Sequence, residues 1–171
     1  MDALLRRRRA VCFAAALCCF GLVGYALYAQ AYLGFQPCPL CIFQRIGLTA
    51  LGVCLLLSTV VPDKPLILRR GAAVLVAAAA VSTIGVALRH LYIQHLPEGQ
   101  VPVCGASLDY MREVFPLTDV LRKVLTGSGE CHKVDWTFLG LAMPSWVLLW
   151  AATLGMVGFV ASWRRAPGSI R

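Results

Sequence analysis

The sequence predicts an all-α membrane protein, a four-transmembrane-helix bundle with a long loop on the non-cytoplasmic side that carries a short interfacial helix. Three observations predict it. Hydrophobic residues make up 59% of the 171, above the roughly 45–50% of ordinary soluble domains. Charged residues make up 14%, against about 25% in a soluble domain, and they cluster between long uncharged runs. Four of those runs approach the ~20 apolar residues that a helix needs to cross the hydrocarbon core.

The whole chain reads as one membrane domain, with spans at about 10–31, 42–61, 71–92 and 142–163. The apolar core of the second is short, so it recruits Cys41 to Arg45 at its outer end. Pro144 suits the first turn of the fourth, where a missing N–H costs nothing. Orientation follows from Lys and Arg, which cytoplasmic loops retain. Arg6 to Arg9 precede span one, Lys64, Arg69 and Arg70 lie between spans two and three, and Arg164, Arg165 and Arg171 follow span four. The connection from Leu96 to Asp135 holds only Arg112, Arg122, Lys123 and Lys133, and it adds six acidic residues. Both termini are therefore expected in the cytoplasm, with segments of about 32–41 and 93–141 facing outward. The net charge of +8 is explained by this topology, and no basic helix face or aromatic-interleaved basic stripe points to nucleic acid.

The N-terminus also resembles a secretory signal, with four arginines, an apolar run and Ala29-Gln30-Ala31. The run is too long for the usual 7–15 residues. Its removal would also leave three spans and a C-terminus on the wrong side for its arginines.

Topology sorts the eight cysteines. Cys12, Cys18, Cys19 and Cys54 fall inside spans and read as small hydrophobes filling helix contacts. Cys38, Cys41, Cys104 and Cys131 fall in the outward segments, where disulfides form and persist, and four cysteines allow three pairings. Cys38-Pro39-Leu40-Cys41 is a C-x-x-C immediately before span two. A thiolate at a helix start is stabilised by unpaired N–H groups and the helix dipole. The alternative is half of a zinc site completed by Cys104 and Cys131-His132. Redox is the preferred reading, because C-x-x-C at helix starts is a recurrent redox device, and no metal is assigned.

Arg45 lies one turn beyond Cys41 on the same face. Its fork of donors can bind the carbonyl of an electron acceptor, or the side chain can simply snorkel to the interface. His90 and His95 end span three on the outer side, as proton shuttles or, more simply, as interface residues. From Leu117 to Leu125 the apolar residues recur at helical spacing, which predicts a helix whose apolar stripe lies on the membrane surface or, equally, packs on the spans as core.

This order of motifs resembles the disulfide bond formation protein B (DsbB) family over nearly the whole chain. The resemblance is carried by Pro37-Cys38-Pro39-Leu40-Cys41-Ile42-Phe43-Gln44-Arg45, Pro102-Val103-Cys104, Gly129-Glu130-Cys131 and the run from Trp136 to Trp146. It implies a bacterial inner-membrane oxidoreductase, a protein-dithiol:quinone oxidoreductase that sustains periplasmic disulfide formation. Its partner would be a periplasmic dithiol oxidase of thioredoxin-like fold, DsbA-like, and its cofactor a membrane quinone, ubiquinone or menaquinone. By the same resemblance Cys104 and Cys131 form the disulfide that the partner attacks, with Cys104 in the mixed disulfide. Cys131 then attacks Cys38 and releases Cys41, which faces the quinone beside Arg45. The family's histidine near the end of span three is offset from His90, so His90 enters as a cofactor-binding candidate by position. Two rival classes, a small transporter and a membrane scaffold, would use the outer disulfides as staples. Against a transporter, the spans hold no interior Asp, Glu or Lys to line a substrate path.

Overall fold

A computed structural model describes residues 2–62, 65–97, 131–132 and 136–163, with side chains from Arg7 onward. Its helices are α1 (Asp2–Tyr32), α2 (Pro39–Val60), α3 (Leu66–Gln94) and α4 (Met143–Trp163). A two-stranded antiparallel hairpin, β1 (Thr137–Phe138) and β2 (Leu141–Ala142), precedes α4. All four helices are long and apolar enough to cross a membrane, so the chain is a multi-pass membrane protein. The expected interfacial helix around 117–125 lies outside the described residues.

Each helix ends where local chemistry stops it. Gly34, at φ 73°, follows the last turn of α1 in the left-handed region that terminates helices. Val61 is extended, with ψ 126°, because Pro62 disfavours the helical conformation in the residue before it. Pro65 then caps α3. Helices α1 and α3 outrun their apolar runs because backbone hydrogen bonding continues into polar segments such as Arg7 to Arg9. The hairpin turns at Leu139 and Gly140, both at positive φ (52° and 77°). That is the signature of a two-residue turn whose twist matches paired strands.

Side-chain contacts at both ends fix an up-and-down bundle. The N-terminal part of α1 meets the end of α2 where an Arg8 Nη donates to the Val61 carbonyl (2.6 Å). The start of α3 meets the end of α4 where an Arg69 Nη donates to the Trp163 carbonyl (3.2 Å). At the opposite end, α2 begins against the end of α3. Between them the core is narrow and built of small side chains: Ala15, Ala16, Cys19 and Ala80 pack with Leu51, Leu55 and Val76. Small residues let helix backbones approach in lipid, where no hydrophobic effect drives helices together. Gly155 and Gly158 carry that closeness furthest, since a Cβ there would collide with Ala80 and Leu55 respectively. Larger side chains such as Leu17, Val53, Val81 and Met156 face outward, as a lipid-facing surface requires. Cys12 and Cys19 are fully buried and Cys18 and Cys54 partly so, the place of small hydrophobes in helix contacts.

Candidate functional site

The outer end of the bundle gathers the polar chemistry, and α2 sets it in place. Cys38 is the N-cap of α2 and Pro39 occupies its first turn, so Cys41 lies one turn in. The Cys38 sulfur accepts a hydrogen bond from the Cys41 backbone N–H (3.4 Å) and lies 3.2 Å from the Cys41 sulfur. A sulfur in that position takes the place of the Ser or Asp oxygen that usually satisfies a first-turn N–H. The cap thus fixes both the spacing of the two sulfurs and their direction.

Beside Cys38 stands His90 from the last turns of α3, 2% exposed. Its Nε2 is 3.7 Å from the Cys38 sulfur, and its Nδ1 is 3.2 Å from the Gln44 amide nitrogen. With that amide donating, Nδ1 accepts, and the proton of a neutral ring sits on Nε2 facing the sulfur. Cys131 is fully buried in the same cluster, against Cys38, Leu40 and Ile93. The sulfurs of Cys38 and Cys131 and a ring nitrogen of His90 all lie within 4.8 Å of one another. His132, next in sequence, is turned away and donates from Nδ1 to the Ile93 carbonyl (3.1 Å).

In front of Cys41 opens an apolar cavity of about 370 Å³ between α1, α2, α4 and the hairpin. Its walls are largely aromatic and aliphatic, with Trp136, Phe138, Trp146 and Trp150 on one side and Leu22, Val23 and Leu48 on the other. Cys41, Gln44 and Arg45 bring the few polar atoms. The hairpin is fastened there by contact of the Phe138 ring with that of Trp146 (5.7 Å) and by the Trp146 indole N–H, which donates to the Phe138 carbonyl (3.2 Å). Arg45 reaches across to α1, donating to the Gln30 side-chain oxygen and to the Ala26 carbonyl. These bonds hold the guanidinium at the cavity wall instead of letting it extend freely toward headgroups. A preformed apolar pocket with few convergent polar groups is the usual form of a small-molecule site.

The structure thus brings together Cys38, Cys41, Cys131, Arg45 and His90, while Cys104 lies outside the described residues. His90 departs from its expected place in two ways. It is buried against Cys38, not set at the interface, and it is not part of the cavity wall. His95, by contrast, is exposed and donates from Nδ1 to the Leu91 carbonyl (2.8 Å). For the zinc alternative, the imidazole beside Cys38 and Cys131 is that of His90, not His132. Gln44, 2% exposed, stands in the motif around Cys38 but carries no role in the sequence reading. Its signal was there: a polar amide in an apolar helix, one turn beyond Leu40 and flanking Arg45, is costly to bury unless it is hydrogen-bonded.

Comparison with known proteins gives the family of the chain. Residues 8–161 match the family model of the Disulfide bond formation protein DsbB. A Disulfide bond formation protein B of Xylella fastidiosa is 36% identical over 170 residues, 98% of each chain. One from Chromobacterium violaceum is 48% identical over 152 residues, covering 84% of this chain and 89% of its own. A third, from Acinetobacter baumannii, is 44% identical over 135 residues, 79% of each. A four-helix membrane bundle with paired cysteines at one end, matched over most of its length by these relatives, belongs to the DsbB family of membrane disulfide bond formation proteins.

Proposed function

We propose that this chain is a protein-dithiol:quinone oxidoreductase of the bacterial inner membrane, with both termini in the cytoplasm. It reoxidises a periplasmic DsbA-like dithiol oxidase and delivers the electrons to ubiquinone or menaquinone. One observation carries the reading. The Cys38 sulfur lies within 4.8 Å of the Cys131 sulfur and 3.2 Å from the Cys41 sulfur, and Cys41 also lines an apolar cavity.

The partner's dithiol attacks a Cys104–Cys131 disulfide through Cys104, and resolution of the mixed disulfide leaves the partner oxidised and Cys104 and Cys131 as thiols. The Cys131 thiolate attacks the Cys38 sulfur of a Cys38–Cys41 disulfide, so that a Cys131–Cys38 bond forms and Cys41 leaves as thiolate. The Cys104 thiolate then closes onto Cys131 and releases Cys38. Two electrons and two protons now reside on the Cys38–Cys41 pair. Such transfers conserve oxidation state, so net disulfide formation needs an external electron sink. A quinone, when bound, supplies it by taking two electrons and two protons.

The chain's residues fit that group. The cavity is apolar enough for a lipid-soluble ring, and Arg45 offers a cationic donor beside Cys41 for an oxygen that gains negative charge. At Cys38, the His90 Nε2–H is positioned to donate to the thiolate that exchange releases, with Gln44 fixing the ring.

The test is anaerobic mixing of the purified protein with quinone and a reduced thioredoxin-fold dithiol, following quinol formation. Stoichiometric quinol that disappears in the Cys41→Ser variant is expected. Quinol formation at the normal rate by that variant would overturn the reading.

A further inference from the structure

We infer that Cys38, His90 and Cys131 together form, in the reduced protein only, a binding site for a thiophilic divalent cation of the zinc group. This goes beyond the redox reading, because it concerns a ligand that no electron-transfer step requires. The Cys38 sulfur and His90 Nε2 are 3.7 Å apart, and all three donor atoms lie within 4.8 Å of one another. Zinc binds thiolate at about 2.3 Å and imidazole at about 2.0–2.1 Å, so the ligand atoms of a tetrahedral site are about 3.5–3.8 Å apart. The Cys38–His90 edge already has that length, and the longest separation must shorten by only about 1 Å to match it.

The surroundings suit an ion as well. All three residues are buried. A ligating imidazole needs its second nitrogen held by an outer partner. Gln44 holds Nδ1, and rotation of its amide lets the oxygen accept from an Nδ1–H while Nε2 turns its lone pair to the metal. Binding releases one proton from each thiol and forms two metal–sulfur bonds. The two thiolate charges cancel that of the cation, so the buried site stays neutral. Three protein ligands leave a fourth position for water. Once Cys38 is oxidised to a disulfide with Cys41, its thiolate is gone and so is the site. The ion would tie one sulfur of the C-x-x-C to one sulfur of the outer pair and hold the reduced protein out of further exchange.

The experiment titrates purified full-length protein with Cd²⁺ and reads the thiolate-to-metal charge-transfer band in the ultraviolet. Zn²⁺ affinity follows from competition with a chromophoric chelator. Reduced protein is expected to bind a single equivalent, and the same protein oxidised with diamide to bind none. Cys131→Ser and His90→Leu should each weaken Zn²⁺ binding more than about a hundredfold, beyond the 10–100-fold that outer-shell partners carry, whereas Cys104→Ser should keep the full stoichiometry. Retained binding after oxidation would overturn the assignment. So would retained affinity in Cys131→Ser together with its loss in Cys41→Ser, which would place the ion on the C-x-x-C alone. The oxidation comparison uses wild-type protein, so a variant that fails to fold does not decide the outcome.

Discussion

The two ends of the bundle solve the same problem with opposite chemistry. Both bury polar side chains where helices terminate, in an environment that penalises any polar group left without a partner. At the arginine end the partners are backbone carbonyls: Arg8 serves Val61 and Arg69 serves Trp163. Arg70 lies over the Trp163 ring at 5.4 Å. Cations placed at helix C-termini also meet the negative end of the helix dipole. At the cysteine end the partners are other side chains, Cys38 with Cys41 and His90, and His90 with Gln44. A guanidinium on a carbonyl has one stable protonation state and no bond to exchange. Thiols and an imidazole within reach of one another can trade protons and electrons. The comparison separates a clamp from a reaction centre, although both are buried, polar and at the membrane edge.

Removing one group from each end breaks the comparison most sharply. Cys41→Ser should reduce quinol production to background, because the sulfur on the cavity wall has no substitute. The helical content and melting temperature of that variant should stay near those of the parent, as circular dichroism in detergent would show. Arg69→Leu should do the reverse. Losing a charged donor to a helix-end carbonyl costs about 1–3 kcal/mol, which a lowered melting midpoint would report, while the rate of dithiol oxidation per folded molecule stays unchanged. If Arg69→Leu instead slowed turnover without loss of stability, the arginine end would not be a passive clamp.

Arg45 sharpens the contrast, since it is an arginine at the reactive end. Its bonds to Gln30 and Ala26 resemble the clamp, yet its position on the cavity wall beside Cys41 gives it chemistry to serve. Arg45→Ala should raise the apparent KM for quinone about tenfold, equivalent to about 1.4 kcal/mol, with thiol exchange toward the partner unaffected. A fall in stability with unchanged quinone kinetics would return it to the clamp class.

How much of this was legible in the sequence follows from which forces write themselves locally. The four helices were readable because lipid demands an unbroken apolar run for each crossing, and few sequences supply one by accident. Arg45 was readable because one turn of helix fixes its face relative to Cys41. The meeting of Cys38, His90 and Cys131 was not. It depends on how α2 and α3 are rotated about their axes and on where the long loop returns, neither of which periodicity encodes. Choosing between His90 and His132 as the neighbour of Cys38 needed tertiary packing for the same reason. The hairpin was missed because the strands have two residues each, too few to show alternation. Only Leu139-Gly140 marked the turn, and a leucine at positive φ is uncommon enough to escape a sequence scan.

Gln44 gives the smallest effect and the finest division, because it touches both the reactive pair and the cavity. Its hydrogen bond to His90 is the neutral kind, worth about 0.5–1.5 kcal/mol, or roughly two- to tenfold in rate. Gln44→Leu should therefore slow quinol production by about threefold. Gln44→Glu keeps the shape of the side chain, but its carboxylate only accepts from an Nδ1–H and so turns the Nε2 lone pair toward Cys38; it should slow the reaction as well, with little change in the KM for quinone. Equal slowing in both variants, accompanied by a raised KM, would mean that the amide matters for the shape of the cavity, and that His90 keeps its orientation toward Cys38 through α3 packing alone.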